Sequence, residues 1–308
     1  MGNRGTIRRF GKERKITKLI SFIIIFGRVL FSAESYDILL FPHDARSLSL
    51  QNSVSAFDNH LLRNNPAALS MHAGGMVYSY LYLPANIHSG EIQCVRRSGA
   101  GISASRISIL SYGAIIDSET EEKTHAFDIL LEAGFKKELK NITSVGISGG
   151  YLLSSIAGFQ SQIMFSNFGI RSRVLRRRLG IGLSVENIGF LLKSYTDVKE
   201  QIPMLFRMSL YYEPRYIPLI ISGDLVKKLD DDIYYFAGGL EFKPQRHLTI
   251  RLGSGSHRSG YITDYFLSDV LAGLSGGVGF HFTKMTLDVG FMNMGPAGFI
   301  MGFSLIKN

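Results

Sequence analysis

Leu179-Gly180-Ile181-Gly182-Leu183-Ser184-Val185-Glu186 sets an apolar side chain at every second position and a small or polar one between. Successive Cβ atoms of an extended chain point to opposite faces, so a period of two reads as a strand with one greasy face. The pattern returns further on. Leu274, Val278, Phe280 and Phe282 alternate with Gly273, Ser275, Gly277, Gly279 and His281, and Met285, Leu287, Val289 and Phe291 alternate with Thr286, Asp288 and Gly290. A greasy face opposite a small or polar one, repeated for most of a chain, is the pattern of a transmembrane barrel.

The bulk composition agrees. The chain has 308 residues, 45% of them apolar and 19% charged, which is too apolar for disorder and long enough for one large β domain. Its 33 glycines suit close approach inside a sheet and tight turns. Trp is absent, so an aromatic girdle must use Tyr and Phe. The single cysteine, Cys94, excludes an internal disulfide and a multi-cysteine metal site. A net charge of +9 would ordinarily suggest nucleic acid. Much of it, however, lies in two clusters, one between Arg4 and Lys18 and one at Arg171–Arg178, without interleaved aromatics for base stacking. No nucleic-acid partner is expected, and the second cluster reads as a solvated turn or a lipid-phosphate contact.

The first cluster precedes an apolar run from Leu19 to Phe31, followed by Ser32-Ala33. That run is about 13 residues and carries Arg28, short of the roughly 20 a spanning helix needs. Residues 1–33 therefore read as an export signal peptide. Residues 34–74 lack sustained alternation and read as a partly helical plug or lid. Within them Asn65-Pro66-Ala67 is a turn signal, with Asn65 able to cap a helix starting at Pro66. It reads either as a plain turn before the first strand or as a fixed plug element controlling the lumen.

Residues 75–308 read as the barrel. Plausible strands are 75–83, 88–96, 99–109, 127–137, 142–153, 157–168, 178–187, 204–213, 217–226, 232–242, 246–253, 270–282, 284–291 and 297–306, about 14 in all, each near the 9–11 residues of a tilted bilayer crossing. Connections after even-numbered strands are mostly tight, as at Arg97-Ser98, Lys140-Asn141, Pro214-Arg215, Pro244-Gln245 and Thr283. Those after odd-numbered strands include the long polar loops 110–126, 188–203 and 254–269. Short turns on one side and long loops on the other is the outer-membrane arrangement, with an even count leaving both barrel termini on the periplasmic side. The 169–177 connection fits this less well, and strand 99–109 is poorly patterned because Arg106 shares a register with Ile102 and Ala104.

The alternation then assigns faces. Phe206, Met208, Leu210 and Tyr212, then Leu248, Ile250 and Leu252, then Phe299, Met301, Phe303 and Leu305 face lipid. A charge on the lipid face at the midplane costs roughly 2–4 kcal/mol. Glu186, Arg207, Glu241, Arg251, His281 and Asp288, on the other register, are the lumen-facing candidates.

Apparent catalytic motifs are weak. Gly146-Ile147-Ser148-Gly149-Gly150 and Gly273-Leu274-Ser275-Gly276-Gly277 both match G-x-S-x-G, but neither precedes a helical pattern, and alternating small residues produce the string unaided. Gly99-Ala100-Gly101-Ile102-Ser103-Ala104 lacks the strand before and helix after that a dinucleotide site needs. The His residues show no metal-ligand spacing, and Asp230-Asp231-Asp232 lacks the further oxygens of a calcium loop. No catalytic residue, metal or cofactor is expected.

Asn65-Pro66-Ala67-Ala68-Leu69, following Ala45-Arg46-Ser47-Leu48-Ser49-Leu50, resembles the PorV/PorQ group of outer-membrane proteins, related to the FadL fatty-acid transporters. Leu179–Gly182 with Val185–Gly189 is similar to that group's mid-barrel strand, and Phe236–Phe242, Thr249–Gly253 and Gly273–Phe280 to its late strands. The likeness covers roughly 45–308. It implies a 14-stranded, non-enzymatic barrel of a Gram-negative-type outer membrane, with the N-terminal segment plugging or lining the lumen. It also implies work in type IX secretion, binding or shuttling cargo, with secretion components or secreted cargo as partners beside outer-membrane lipid. The alternative is a FadL-like pore with a hydrophobic ligand in the lumen. That alternative predicts an apolar pocket beside residues 45–70, and a lumen packed with polar side chains would exclude it. A soluble β-sandwich would instead bury about half of the greasy rows against a second sheet.

Overall fold

The computed structural model describes residues 36–57, 62–70, 75–116, 123–140, 142–196, 200–230, 234–256 and 272–307. The proposed signal peptide, residues 1–33, lies outside them. Fourteen antiparallel strands close into one barrel: β1 (Met76–Leu83), β2 (Ile87–Ser98), β3 (Gly101–Ile116), β4 (Lys123–Lys140), β5 (Thr143–Ile156), β6 (Phe159–Val174), β7 (Leu179–Lys193), β8 (Leu205–Tyr212), β9 (Leu219–Lys228), β10 (Tyr234–Gln245), β11 (Leu248–Gly255), β12 (Leu274–His281), β13 (Met285–Asn293) and β14 (Phe299–Lys307). Each strand pairs with its sequence neighbour, and β1 closes on β14 from Met76↔Lys307 to Tyr82↔Met301. No free sheet edge remains, which is what a spanning sheet requires.

Period two continues right round the wall. In β14 the residues alternate exposed and buried from Phe299 to Lys307 without interruption. Tyr78, Ile92, Ile107, Leu131, Phe168, Ile181, Met208, Leu252, Phe291 and Phe303 all point outward. The greasy rows therefore form an external belt rather than meeting in a dry centre, and the sandwich reading falls.

Several boundaries differ from the sequence reading, and the cause is local. β3 runs to Ile116 and β4 starts at Lys123, so the expected 110–126 loop shrinks to 117–122. The β3–β4 register slips between Ser111 and Ala114, beside Gly113 at φ 78°. A β-bulge there inserts an unpaired residue and breaks the alternation. β7 likewise passes 187 to Lys193, because Asn187 at φ 60° lies in a bulge against β6, and Ile188, Phe190 and Leu192 resume the outward row. β6 continues to Val174, shortening the ill-fitting 169–177 connection to 175–178. Connections 99–100, 141–142, 175–178, 213–218, 246–247 and 282–284 define a short-turn end, where β1 begins and β14 finishes. The opposite end, with segments 117–122, 194–204 and 256–273, is the loop end.

Candidate functional site: a lumen filled by the N-terminal segment

Residues 36–57 and 62–70 lie inside the barrel, where most are buried. The path starts at the loop end. Tyr36 stacks on Tyr195 with ring centroids 6.2 Å apart, approaches Ser161 Oγ at 2.7 Å and donates to Glu200 at 2.8 Å. Burial raises both phenols, that of Tyr195 to about 12, so each stays a neutral donor. Tyr36, Ile38 and Leu39 fill an apolar chamber walled by Leu110, Leu130, Leu152, Ile163 and Phe165. The adjoining crevice between Ile38, Phe41, His43, Leu81 and Leu83 is too narrow for a water molecule.

A short helix, α1 (Ala45–Ser49), follows. Asp44 caps it by accepting from Ser47 N at 2.9 Å. Ala45 N donates to Ser304 Oγ at 2.9 Å, and Ser275 Oγ donates to Ser49 O at 2.9 Å, seating the helix on β12–β14. The segment then descends past β9, where Ser55 donates to Asp224 at 2.6 Å, and Phe57 meets Tyr211 edge to face at 5.9 Å. Residues 62–70 cross the short-turn end beneath β2–β6. There Lys136 Nζ donates to Leu69 O at 2.8 Å and Ser144 to Ala67 O at 2.9 Å.

Asn65, Pro66 and Ala67 sit in this crossing. Asn65 Oδ1 accepts from Ala67 N at 3.0 Å, capping a single 3-10 turn over Pro66–Ala68, while its Nδ2 donates to Ile170 O at 3.3 Å. The inward glycines of the wall make the space. A Cβ on Gly146 would overlap the Pro66 backbone, and one on Gly169 the Asn65 side chain. Gly290 does the same for the Ala45 backbone, and a Cβ on Gly302 would overlap Leu81 beside Leu48 and Ala45. Both G-x-S-x-G strings belong to this cradle. Ser148 lies mid-strand in β5 and donates to Glu132 at 2.6 Å, with no strand-to-helix turn to present a nucleophile.

Between the apolar ends runs a belt of buried ion pairs in three clusters. Arg207 on β8 donates to Glu186 on β7 at 2.7 Å and reaches Asp224 on β9 at 3.4 Å. Arg251 on β11 donates to Glu241 on β10 at 2.8 Å. It also spans β12, across Gly279, to Asp288 on β13 at 2.7 Å. Arg106 on β3 joins Glu91 on β2 at 2.8 Å and Glu132 on β4 at 2.6 Å. Five of the lumen candidates, Glu186, Arg207, Glu241, Arg251 and Asp288, thus fall in two clusters. His281 stands apart, half-buried near the short-turn end, with Thr249 Oγ1 at 2.7 Å and Thr286 at 3.2 Å.

The sequence reading missed the Arg106 cluster. Its signal was the irregular strand: Ile102, Ala104, Arg106, Ser108 and Leu110 all face inward, with apolar residues at the two ends where the plug packs. It also treated Arg171–Arg178 as one unit. Arg171 is buried in the lumen at 1% exposure, and only Arg176–Arg178 belong to the turn.

Each cluster has one guanidinium and two carboxylates, and the plug brings cations to them. Arg46 donates to Glu241 at 2.9 Å. Arg63 donates to the Ile38 carbonyl, tying the two ends of the plug together. Burial and the nearby Arg106 lower Arg63 to about 9, which leaves it cationic at neutral pH. His43 Nε2 donates to Ile38 O at 3.0 Å, with Nδ1 3.5 Å from Glu91. The carboxylate favours the imidazolium, but burial together with Arg63 and Arg106 outweighs it and holds His43 well below its usual value. Among the described residues no cluster of His, Cys, Asp and Glu is arranged to hold a metal.

No family model and no curated protein matches the sequence. The barrel does match solved structures. The toluene transporter TbuX of Ralstonia pickettii superimposes with a TM-score of 0.60 at 12% identity, over 86% of this chain and 98% of that one. The toluene transporter TodX of P. putida gives 0.58 at 11%, over 86% and 98%. The monoaromatic hydrocarbon channel CymD gives 0.57 at 12%, over 90% and 99%. These are transport channels, and they lend no support to the secretion role implied by the PorV/PorQ resemblance. At such identity the likeness is one of architecture: the chain shares its closed barrel with hydrocarbon channels.

Proposed function

We propose that the chain is a non-enzymatic outer-membrane conduit for small hydrophobic molecules, held shut by its own N-terminal segment. The observation that carries this reading is the loop-end chamber. An inner wall of Leu110, Leu130, Leu152, Ile163 and Phe165 is unusual in a lumen expected to be polar, and the plug shields it with Tyr36, Ile38 and Leu39. The likeness to channels described as carrying toluene and monoaromatic hydrocarbons supports the same substrate class. The apolar chamber lies beside residues 36–39 and not beside 45–70, and the polar middle excludes a permanently open apolar path, so passage requires the plug to move.

The test is accumulation of labelled toluene by outer-membrane vesicles with and without the protein. Faster uptake that Leu152→Asn abolishes, in a variant that still folds, supports the conduit. Uptake equal to protein-free vesicles contradicts it.

The filled lumen favours a second reading, type IX secretion with partner contacts on the outer loops of a rigid scaffold. Deleting 117–122, 194–204 and 256–271 in turn should then abolish cargo secretion in at least one case. Secretion unchanged in all three contradicts that role.

A further inference from the structure

We propose that the short-turn rim from β13 round through β14, β1 and β2 to β4 is a binding surface for the phosphate groups of anionic phospholipid in the leaflet it faces. Three strands of this arc carry a basic side chain at or near the end of the outward row. On β14 the outward row Phe299, Met301, Phe303 and Leu305 is followed, one pleat on, by exposed Lys307. On β2, Ile92 and Cys94 are followed by exposed Arg96, and on β4 exposed Lys137 follows Leu131 and Phe135 on the same face, with exposed Leu139 at the irregularity beyond it. Lys284, exposed in the turn before β13, lies beside Lys307, since Met285 pairs with Lys307. The register sets them at neighbouring depths, with Met76 opposite both Lys307 and Cys94, and Arg96 paired with Ser103, which itself pairs with Phe135. Arg96, Lys284 and Lys307 therefore lie where the hydrocarbon-facing rows stop, and Lys137 one pleat short of it, the depth at which long basic side chains reach headgroups.

No acidic side chain among the described residues neutralises them. Arg96, Lys137, Lys284 and Lys307 form no ion pair among the described residues. The exposed acids at this end among the described residues are Glu138 and Glu213, neither on this arc's lipid face. The loop end of the same arc is different. Its described outward residues include Tyr80, Tyr82, His88, His125, Phe291 and Phe299, and Tyr80 Oη sits 2.7 Å from His88 Nδ1. Aromatic side chains occupy either interface, whereas unpaired Lys and Arg favour an anionic one. The one-sided distribution thus points to one leaflet.

The test uses the full-length protein in nanodiscs of phosphatidylcholine carrying trace spin-labelled phosphatidylglycerol or phosphatidylcholine. Each cation at an anionic surface is worth up to about fivefold in association, so a several-fold preference for phosphatidylglycerol is expected. It should collapse in high salt and in R96Q/K137Q/K284Q/K307Q. Should that variant fail to fold, K284Q/K307Q and the salt dependence of the wild type decide. Equal association of the two labels, or a preference that the substitutions leave intact, overturns the proposal. So does binding of soluble inorganic phosphate, or of a polyglutamate peptide, without any lipid preference, since that assigns the arc to a free anion or an acidic polypeptide.

Discussion

The loop-end chamber and the mid-lumen belt are built on the same strands from opposite materials. Leu110 and Arg106 both face inward on β3, four residues apart, yet one sits among Leu130, Leu152 and Ile38 and the other between Glu91 and Glu132. The chamber could accept any greasy surface of suitable shape. The belt accepts only groups placed to complete its hydrogen bonds, because a buried charge without a partner is expensive. The two regions divide the labour. Directional bonds in the middle fix how the plug sits, and the apolar end is the part able to exchange a plug side chain for a hydrophobic solute.

Substitutions in the two regions should behave differently. The largest effect is expected from Arg106→Met, which leaves Glu91 and Glu132 buried without their guanidinium. Breaking such a pair costs about 3–5 kcal/mol, whereas replacing all three groups by apolar ones of similar volume is close to neutral. Urea unfolding in vesicles should therefore show E91M/R106M/E132M more stable than R106M, the gain reduced because Ser108, Ser148 and Asn167 lose their carboxylate acceptors. Equal losses would mean that the belt is not a coupled unit.

Next comes the cradle. Gly146→Val places side-chain atoms where Pro66 lies, and overpacking of this kind typically costs about 1–3 kcal/mol. The wall can survive this by expelling the plug, so protease sensitivity within 62–70 should rise while the folded barrel's gel mobility is unchanged. Gly90, whose Cβ would meet nothing within 4 Å, is the matched control, and G90V should leave the plug protected.

The smallest effect is a pH dependence. His43 faces Glu91 and the Ile38 carbonyl, with Arg63 and Arg106 nearby, and is favoured neutral in the seated plug. A displaced plug returns His43 to its ordinary value of about 6.5, so it binds the proton more readily. Seating is then fully stabilised above that pH and weakens as pH falls below it. Plug protection from protease should decline on acidification in the wild type and stay flat in His43→Gln. The opposite trend would mean that Glu91 governs the imidazole.

Much of this was legible in the sequence because a barrel wall obeys one rule. Alternation along β1, β8 and β14 marks strands and faces directly, since one side touches hydrocarbon and the other does not. The rule fails where geometry interrupts it. Gly113 and Asn187 shift the phase by one residue, and a reading tied to one phase stops there, which is why 110–116 and 188–193 looked like loops. The site was harder to read. Glu186, Arg207, Glu241, Arg251 and Asp288 stood out as charges on a small-residue face. Arg46, Arg63 and His43 did not, because the groups they meet, Glu241, the Ile38 carbonyl and Glu91, are far off in the chain and no local period links them. The many inward glycines were visible, but their purpose, close passage of the plug backbone, depends on three-dimensional proximity.

The central claim is that a hydrophobic solute passes only when the plug leaves its seat. Ser53 Oγ and Ser222 Oγ are 3.0 Å apart, one on the plug and one on β9, so a cysteine pair there can be oxidised to a tether. In a Cys94→Ser background, toluene uptake by vesicles carrying S53C/S222C should be low when oxidised and recover on reduction. Uptake that is brisk and identical in both states would contradict the account.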